Sequence, residues 1–409
     1  MNFEALLADR TGNMKASAIR ETLKVIAQPG MISLAGGIPA PESFPMDIMH
    51  QLIDQVLDKY SWRALQYGPT EGFPPLRQAL GEYVKTRGVS ASAEDVIITT
   101  GSQGSLDALG KIMITKGDKI VVEAPTYLGA LSAFNPYEPE YLSVRTDADG
   151  VIPEALDEIL SRHRVKFVYL IPTFQNPSGR TIPLARRQEI ARIIVHHGAL
   201  LLEDDPYSRL RYRGDDLPTI KSLAPDHVVY MSTMSKVLAP GLRIGYCVAP
   251  PDIRNWMVLA KQGIDLQSSS FDQALAAEYV STGCLEKQIP KIVALYRPKQ
   301  EAMLAALDKY FPESFTWSRP DGGMFLWAEG PKGLDADRLY YKAVERKVAY
   351  VPGRYFYADG ESGRAAMRLN FTMSTVEELD RAIKILADLF AAELSERHRV
   401  ESLKAARGH

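Results

Sequence analysis

Val228-Val-Tyr-Met-Ser-Thr-Met-Ser-Lys-Val-Leu-Ala-Pro-Gly-Leu-Arg-Ile-Gly245 carries the decisive reading of this chain. Its apolar start, Val228–Met231, predicts a buried strand. The strand runs into three hydroxyls, Ser232, Thr233 and Ser235, and then a single lysine, Lys236. Arg243 stands seven positions later, where the next apolar run begins. Hydroxyls and an arginine around one lysine can hold a phosphate beside an amine. Taken alone, the same residues also read as a polar loop with a solvated lysine.

Outward from this stretch the pattern alternates. Short apolar strands are predicted at Val96–Thr99, Lys119–Glu123, Phe167–Ile171, Leu200–Leu202 and Ile244–Val248. Helical patterns fall between several of them, such as 184–197, closed by Gly198. This is the pattern of an α/β unit whose largely parallel sheet is covered on both faces. The unit is expected over 47–285. A helix from about 285 to 309 leads away from it. Short strands at Gly322–Trp327, Ala349–Val351 and Met367–Phe371, with helices between, predict a smaller α+β domain over 286–409. Residues 1–46 form an N-terminal segment expected to pack with that domain and the substrate site. Its first 30 residues read as mainly helical, with Ile19, Leu23 and Ile26 on one face.

Bulk properties narrow the function. The chain has 409 residues, 46% hydrophobic and 24% charged, which suits a soluble globular protein of two domains. A formal net charge of −2 gives no basic excess to attract nucleic acid or membrane. Two cysteines, Cys247 and Cys284, are too few for a disulfide framework, and Cys247 reads as core. No run approaches about 18 apolar residues. The start, Met1-Asn-Phe-Glu-Ala, lacks the pattern of a signal peptide, so a cytoplasmic location is expected.

Ligands of open parallel sheets bind outside the carboxyl ends of the strands. Gly101-Ser-Gln-Gly104, entering a helix after the first strand, offers free amides and a hydroxyl to a phosphate. Neither nucleotide signature is present. After the strand at 167–171 comes Asn176, before a proline in extended backbone. After the next comes Glu203-Asp-Asp-Pro-Tyr207. Its acids match no metal-loop spacing, and no metal is expected. A buried carboxylate there needs a cationic partner, which a protonated heterocycle nitrogen supplies. A phosphate cradle, an amine and such a carboxylate together are what pyridoxal 5'-phosphate needs.

Seven motifs occur in an order that resembles one family: Tyr67-Gly-Pro-Thr-Glu-Gly72, the Gly-Ser-Gln segment, Pro-Thr-Tyr127, Asn176-Pro-Ser-Gly179, Asp204-Asp-Pro-Tyr207, Ser-Lys236 with Leu-Ala-Pro-Gly-Leu-Arg243, and Arg368-Leu-Asn-Phe371. Together they resemble a fold-type I aminotransferase of class I/II. The branch most similar is that of 2-aminoadipate, kynurenine and multi-substrate aminotransferases, which shares Ser33-Leu-Ala-Gly-Gly-Ile-Pro39. The resemblance implies a large domain with a mainly parallel seven-stranded sheet, a smaller domain, and amino transfer from an L-amino acid to a 2-oxo acid by a ping-pong mechanism.

It also implies roles. Lys236 would form the Schiff base and carry protons, and Asp204 would keep the ring nitrogen protonated, with Asp205 structural. Tyr207 and Asn176 would bond the phenolic oxygen and Tyr127 would stack on the ring. Ser102, Gln103, Thr233, Ser235 and Arg243 would hold the phosphate. Thr233 stands where serine is frequent, and Gly104 and Met234 replace larger residues, a change expected to act on pocket shape. Arg368 would take the substrate carboxylate, aided by Gly37 and Asn176. Tyr67 would reach the phosphate of a neighbouring subunit, implying a homodimer. Arg20 would meet a distal carboxylate, although it also reads as a solvated helix charge. Two alternatives use the same fold: a lyase performing β-elimination, and a cofactor-binding regulatory domain, for which 46 leading residues are too few to form a winged helix.

Overall fold

A computed structural model describes residues 3–14 and 29–407. The expected N-terminal helix face, with Ile19, Leu23 and Ile26, and the candidate Arg20 lie outside the described residues. What is described ahead of them is two short 3-10 turns, Phe3–Leu6 and Asp9–Asn13.

Seven strands form the larger sheet: β1 (Val96–Thr100), β2 (Lys119–Glu123), β3 (Glu140–Val144), β4 (Val168–Leu170), β5 (Leu201–Asp204), β6 (Val228–Thr233) and β7 (Ile244–Val248). Their spatial order is β1-β7-β6-β5-β4-β2-β3. All run parallel except β7, which lies antiparallel to both β1 and β6. The inner strands β4 to β7 are buried at every position, as expected when helices cover both faces. The edge strand β3 escaped the sequence pattern because only Val144 of its five residues is buried. β5 and β6 each run two residues further than the apolar pattern predicts, ending on Asp204 and Thr233. The strands therefore deliver these polar residues directly to the site.

A second, antiparallel sheet of four strands joins β8 (Thr316–Trp317), β9 (Phe325–Glu329), β10 (Val351–Pro352) and β11 (Ala366–Asn370) in the order β8-β9-β11-β10. The single strand expected at Ala349–Val351 is two. Val348–Ala349 pairs in parallel with Ile32–Ser33, while Val351 turns to β11. The N-terminal segment is thus stitched to the smaller sheet: Leu34 N–H donates to the Ala349 carbonyl at 2.8 Å, and Asn370 N–H to the Leu34 carbonyl at 2.7 Å. The helix Cys284–Tyr310 leads from the larger sheet to the smaller and packs against the last helix, Val376–Arg407.

Candidate functional site

The carboxyl ends of β1, β2, β4, β5 and β6 and the amino end of β7 meet at one edge, around a cavity of about 290 Å³. Its walls include Gly37, Ser102, Gln103, Tyr127, Asn176, Asp204, Tyr207, Thr233, Ser235, Lys236, Arg243 and Arg368, twelve of the fourteen predicted site residues. The other two are Arg20, outside the described residues, and Tyr67, which is 78% exposed and does not line this cavity.

Lys236 follows β6 in a 3-10 turn capped by Thr233, whose hydroxyl accepts from Ser235 N–H at 3.1 Å. The Lys236 Nζ donates to the Gly37 carbonyl at 2.8 Å. Burial, with Arg368 and Arg243 nearby, lowers its pKa to about 8. The amine is thereby poised to act as a nucleophile and a proton carrier near neutral pH.

The anion end is built at the start of the helix Gly101–Met113. First-turn amides have no acceptor within their own helix, and that of Gly101 donates instead to the Arg243 carbonyl at 2.8 Å. Ser102 and Gln103 follow, with Thr233, Ser235 and the Arg243 guanidinium facing them across the cavity. Gly101 has φ +70, and a Cβ there would lie 2.4 Å from Arg243 Nη2. Only glycine lets helix and guanidinium approach this closely. Gln103 donates to the Gly129 carbonyl at 2.9 Å, tying this helix to the turn that carries Tyr127.

Asp204 ends β5, 1% exposed. Tyr169 donates to its Oδ2 at 2.8 Å, while Oδ1 is buried with no partner among the described residues. Burial raises the carboxyl to about 7. A buried carboxylate with one neutral donor is short of a cation. Asp205 is separate and structural, as expected: its Oδ2 accepts from Ser208 at 2.8 Å and from Tyr230 at 2.9 Å. Glu203 likewise holds the amides of Ile220 and Lys221, at 2.9 and 2.7 Å. The three adjacent acids thus divide into two framework groups and one cavity group.

Arg368 comes from β11 and is fully buried. Its Nη1 donates to Asn176 Oδ1 at 2.9 Å and its Nη2 to the Ala35 carbonyl at 2.7 Å, leaving Nε without a partner among the described residues. The guanidinium lies 4.2 Å from the Phe325 ring centroid and 5.1 Å from that of Phe356, apolar faces that fix its plane. Asn176 Nδ2 in turn donates to the Tyr207 hydroxyl at 3.2 Å.

Gly104 and Met234 do not line the cavity: Gly104 sits over Thr99 and Thr100, and Met234 is buried in the core. The sequence reading also missed Ile38, Ile171, Pro206 and Pro240 as walls, and Tyr169 as the partner of Asp204. The Tyr169 pairing becomes findable only once β4 is known to neighbour β5. Among the described residues no cluster of acidic, histidine or cysteine side chains could hold a metal. No helix among them is long and apolar enough to cross a membrane.

The cavity and its charges suit a phosphorylated aromatic aldehyde with a basic ring nitrogen. The anion cradle, the low-pKa lysine and the unpartnered Asp204 oxygen each answer one part of pyridoxal 5'-phosphate. The fold and site define a pyridoxal-phosphate-dependent transferase.

The model of the family described as aminotransferase class I and II matches residues 34–386. An aromatic-amino-acid aminotransferase of Thermococcus litoralis is 43% identical, over 96% of both chains. A 2-aminoadipate transaminase of Thermus thermophilus is 40% identical over 92% of this chain and 96% of its own. The crystal structure of an α-aminoadipate aminotransferase from Thermus thermophilus, complexed with N-(5'-phosphopyridoxyl)-L-leucine, superposes with a TM-score of 0.90. It is 37% identical and covers 97% of this chain and 100% of its own. The chain belongs to the aminotransferase class I and II family. It is a pyridoxal-phosphate-dependent aminotransferase with the fold-type I architecture.

Proposed function

We propose that this enzyme moves the amino group of an L-amino acid of aminoadipate, glutamate, aromatic or branched type to a 2-oxo acid such as 2-oxoglutarate, in ping-pong fashion. The donor range is supported by the aromatic and aminoadipate relatives. One observation carries the reading: Lys236, Asp204 and Arg368 open onto the same cavity.

Bound pyridoxal phosphate supplies an aldehyde for the amine and a ring that accepts the electrons of the breaking Cα–H bond. Ser102, Gln103, Thr233, Ser235 and Arg243 hold its phosphate, and Tyr127 packs on its ring. Asp204, ionised, pairs with the protonated ring nitrogen. Tyr207 and Asn176 donate to the phenolic oxygen. Arg368 grips the substrate α-carboxylate in a two-point pair, with Asn176 and the Gly37 backbone beside it. Lys236, unprotonated, takes the proton leaving the substrate α-carbon. Arg20 pairs with a distal carboxylate of dicarboxylic donors.

The working form is a homodimer in the cytoplasm, with Tyr67 reaching the partner's phosphate. Support comes from the exposure of Tyr67, together with Trp62 and Leu65 at 65% and 72%. The domain division at 46 and 285 is supported by the confinement of the larger sheet to residues 96–248 and of the smaller to 316–370.

The test is a half-reaction. Purified enzyme mixed with glutamate, aminoadipate, phenylalanine or leucine should lose its near-visible cofactor band. A 2-oxo acid should restore it, and Lys236→Ala should do neither. Retained turnover in Lys236→Ala would sink the assignment, and ammonia with pyruvate released from serine or a β-substituted alanine in the absence of oxo acid would favour a lyase. Sedimentation of the holoenzyme as a monomer would remove the dimer.

A further inference from the structure

The two oxygens of Asp204 are unlike: Oδ2 accepts from the Tyr169 hydroxyl, and Oδ1 is buried with no partner among the described residues. Asp204 lines the cavity and Tyr169 does not. In the parallel pairing of β4 with β5, Tyr169 lies opposite Leu202. Asp204 is two residues beyond Leu202 on the same face, about 7 Å along the strand. That offset is within reach of a tyrosine hydroxyl, as the 2.8 Å bond shows. Tyr169 is fully buried, its ring edge-on to Phe134 with centroids 6.0 Å apart, so the hydroxyl has little freedom.

We propose that Tyr169 is a positioning residue for Asp204, holding Oδ2 on the protein side so that the ionised Oδ1 is presented to the cofactor's ring nitrogen. The proposal rests on the reading of Asp204 as the partner of that nitrogen. The hydroxyl donates to the carboxylate and so favours its ionised form, against the burial that raises the carboxyl to about 7. The other titratable groups around the pair are Asp205, Tyr127, Tyr207 and Glu123. Burial pushes the Tyr127 and Tyr207 hydroxyls upward, which keeps both neutral, and raises the Glu123 carboxyl to about 8.

Tyr169→Phe retains the ring against Phe134 and removes only the donor. The experiment is titration of the cofactor-free full-length protein with pyridoxal phosphate from pH 6 to 9, following protein fluorescence, for wild type, Tyr169→Phe and Asp204→Asn. At pH 6 the free carboxyl is neutral in wild type and variant alike, and binding must ionise it without the tyrosine in Tyr169→Phe. The variant should bind about tenfold or more weakly there. By pH 9 the carboxyl is already ionised before binding in both, and the ratio of the two constants should return towards one. Titrations of Glu123 and of Lys236, the latter at about 8 on the same cavity, are common to both proteins and cancel in that ratio. A weakening of the same size at every pH marks a packing role and overturns the proposal, as does equal binding throughout. If Tyr169→Phe fails while Asp204→Asn still weakens binding, only the role of Tyr169 falls. If Asp204→Asn binds like wild type, the assignment of Asp204 to the ring nitrogen falls as well.

Discussion

Arg368 and Asn176 join the two sheets inside the cavity: the guanidinium, on a strand of the smaller sheet, donates to an amide in the loop that follows β4 of the larger, at 2.9 Å. Because Asn176 also donates to Tyr207, one chain of hydrogen bonds runs from Arg368 to Tyr207. Lysine cannot reproduce this planar fork. Arg368→Lys should raise the KM of both amino acid and 2-oxo acid about tenfold to a hundredfold, with the cofactor band retained. Half-reaction kinetics decide it, and an unchanged KM would count against the carboxylate role.

At Gly101 any side chain would collide with the Arg243 guanidinium. Gly101→Ala combines a strained φ of +70 with a Cβ 2.4 Å from Arg243 Nη2, so the arginine must swing away. Pyridoxal phosphate should bind at least about tenfold more weakly, as expected for losing one charge-assisted hydrogen bond. Equilibrium dialysis measures the effect. Wild-type affinity would show that the cradle does not need this geometry.

Much of this was legible in the sequence for a physical reason: strands delivering residues to one edge leave apolar runs that stop at polar residues. Lys236 after β6 and Asp204 at the end of β5 are of this kind. What was not legible depends on contacts between distant segments. Tyr169 reads as one more apolar strand residue until β4 is set beside β5. The edge strand β3 hides because only Val144 of its five residues is fully buried, so no apolar run marks it. Ala349–Val351 read as one strand although Tyr350 separates two pairings, Ala349 with Ser33 and Val351 with Arg368. The walls at Pro206 and Pro240 lie inside recognised motifs, but nothing in the sequence says that either proline faces the cavity.

The Lys236 amine gives a pH signature. It reacts only when unprotonated, so capture of pyridoxal phosphate by the cofactor-free enzyme should accelerate with pH through about 8 and level off above. Arg368 is the first of the cations that lower this pKa. Arg368→Gln should therefore move the midpoint upward. Stopped-flow absorbance across pH 6–10 reads both, and a midpoint that stays put or moves down would contradict the electrostatic cause.

The role proposed for Arg20 is in selectivity, not chemistry. Arg20→Ala should lower kcat/KM for glutamate and aminoadipate about tenfold or more while leaving leucine and phenylalanine within about twofold, the pattern of one lost ion pair. Initial rates over these four donors are the measurement. An unchanged ratio between dicarboxylic and apolar donors would remove the proposed role of Arg20.

The one reversed strand of the larger sheet has a mechanical consequence. Since β7 runs back beside β6, the connection between them is a single short excursion carrying both Lys236 and Arg243, with its two ends clamped into adjacent strands. Amine and anion cradle are therefore both held by one body, the larger sheet. Arg368 and the Gly37 segment belong to the other sheet and its stitched-on strand. Any opening that admits one substrate and releases the next product can pass between the bodies, moving the carboxylate grip without disturbing the distance from lysine to phosphate.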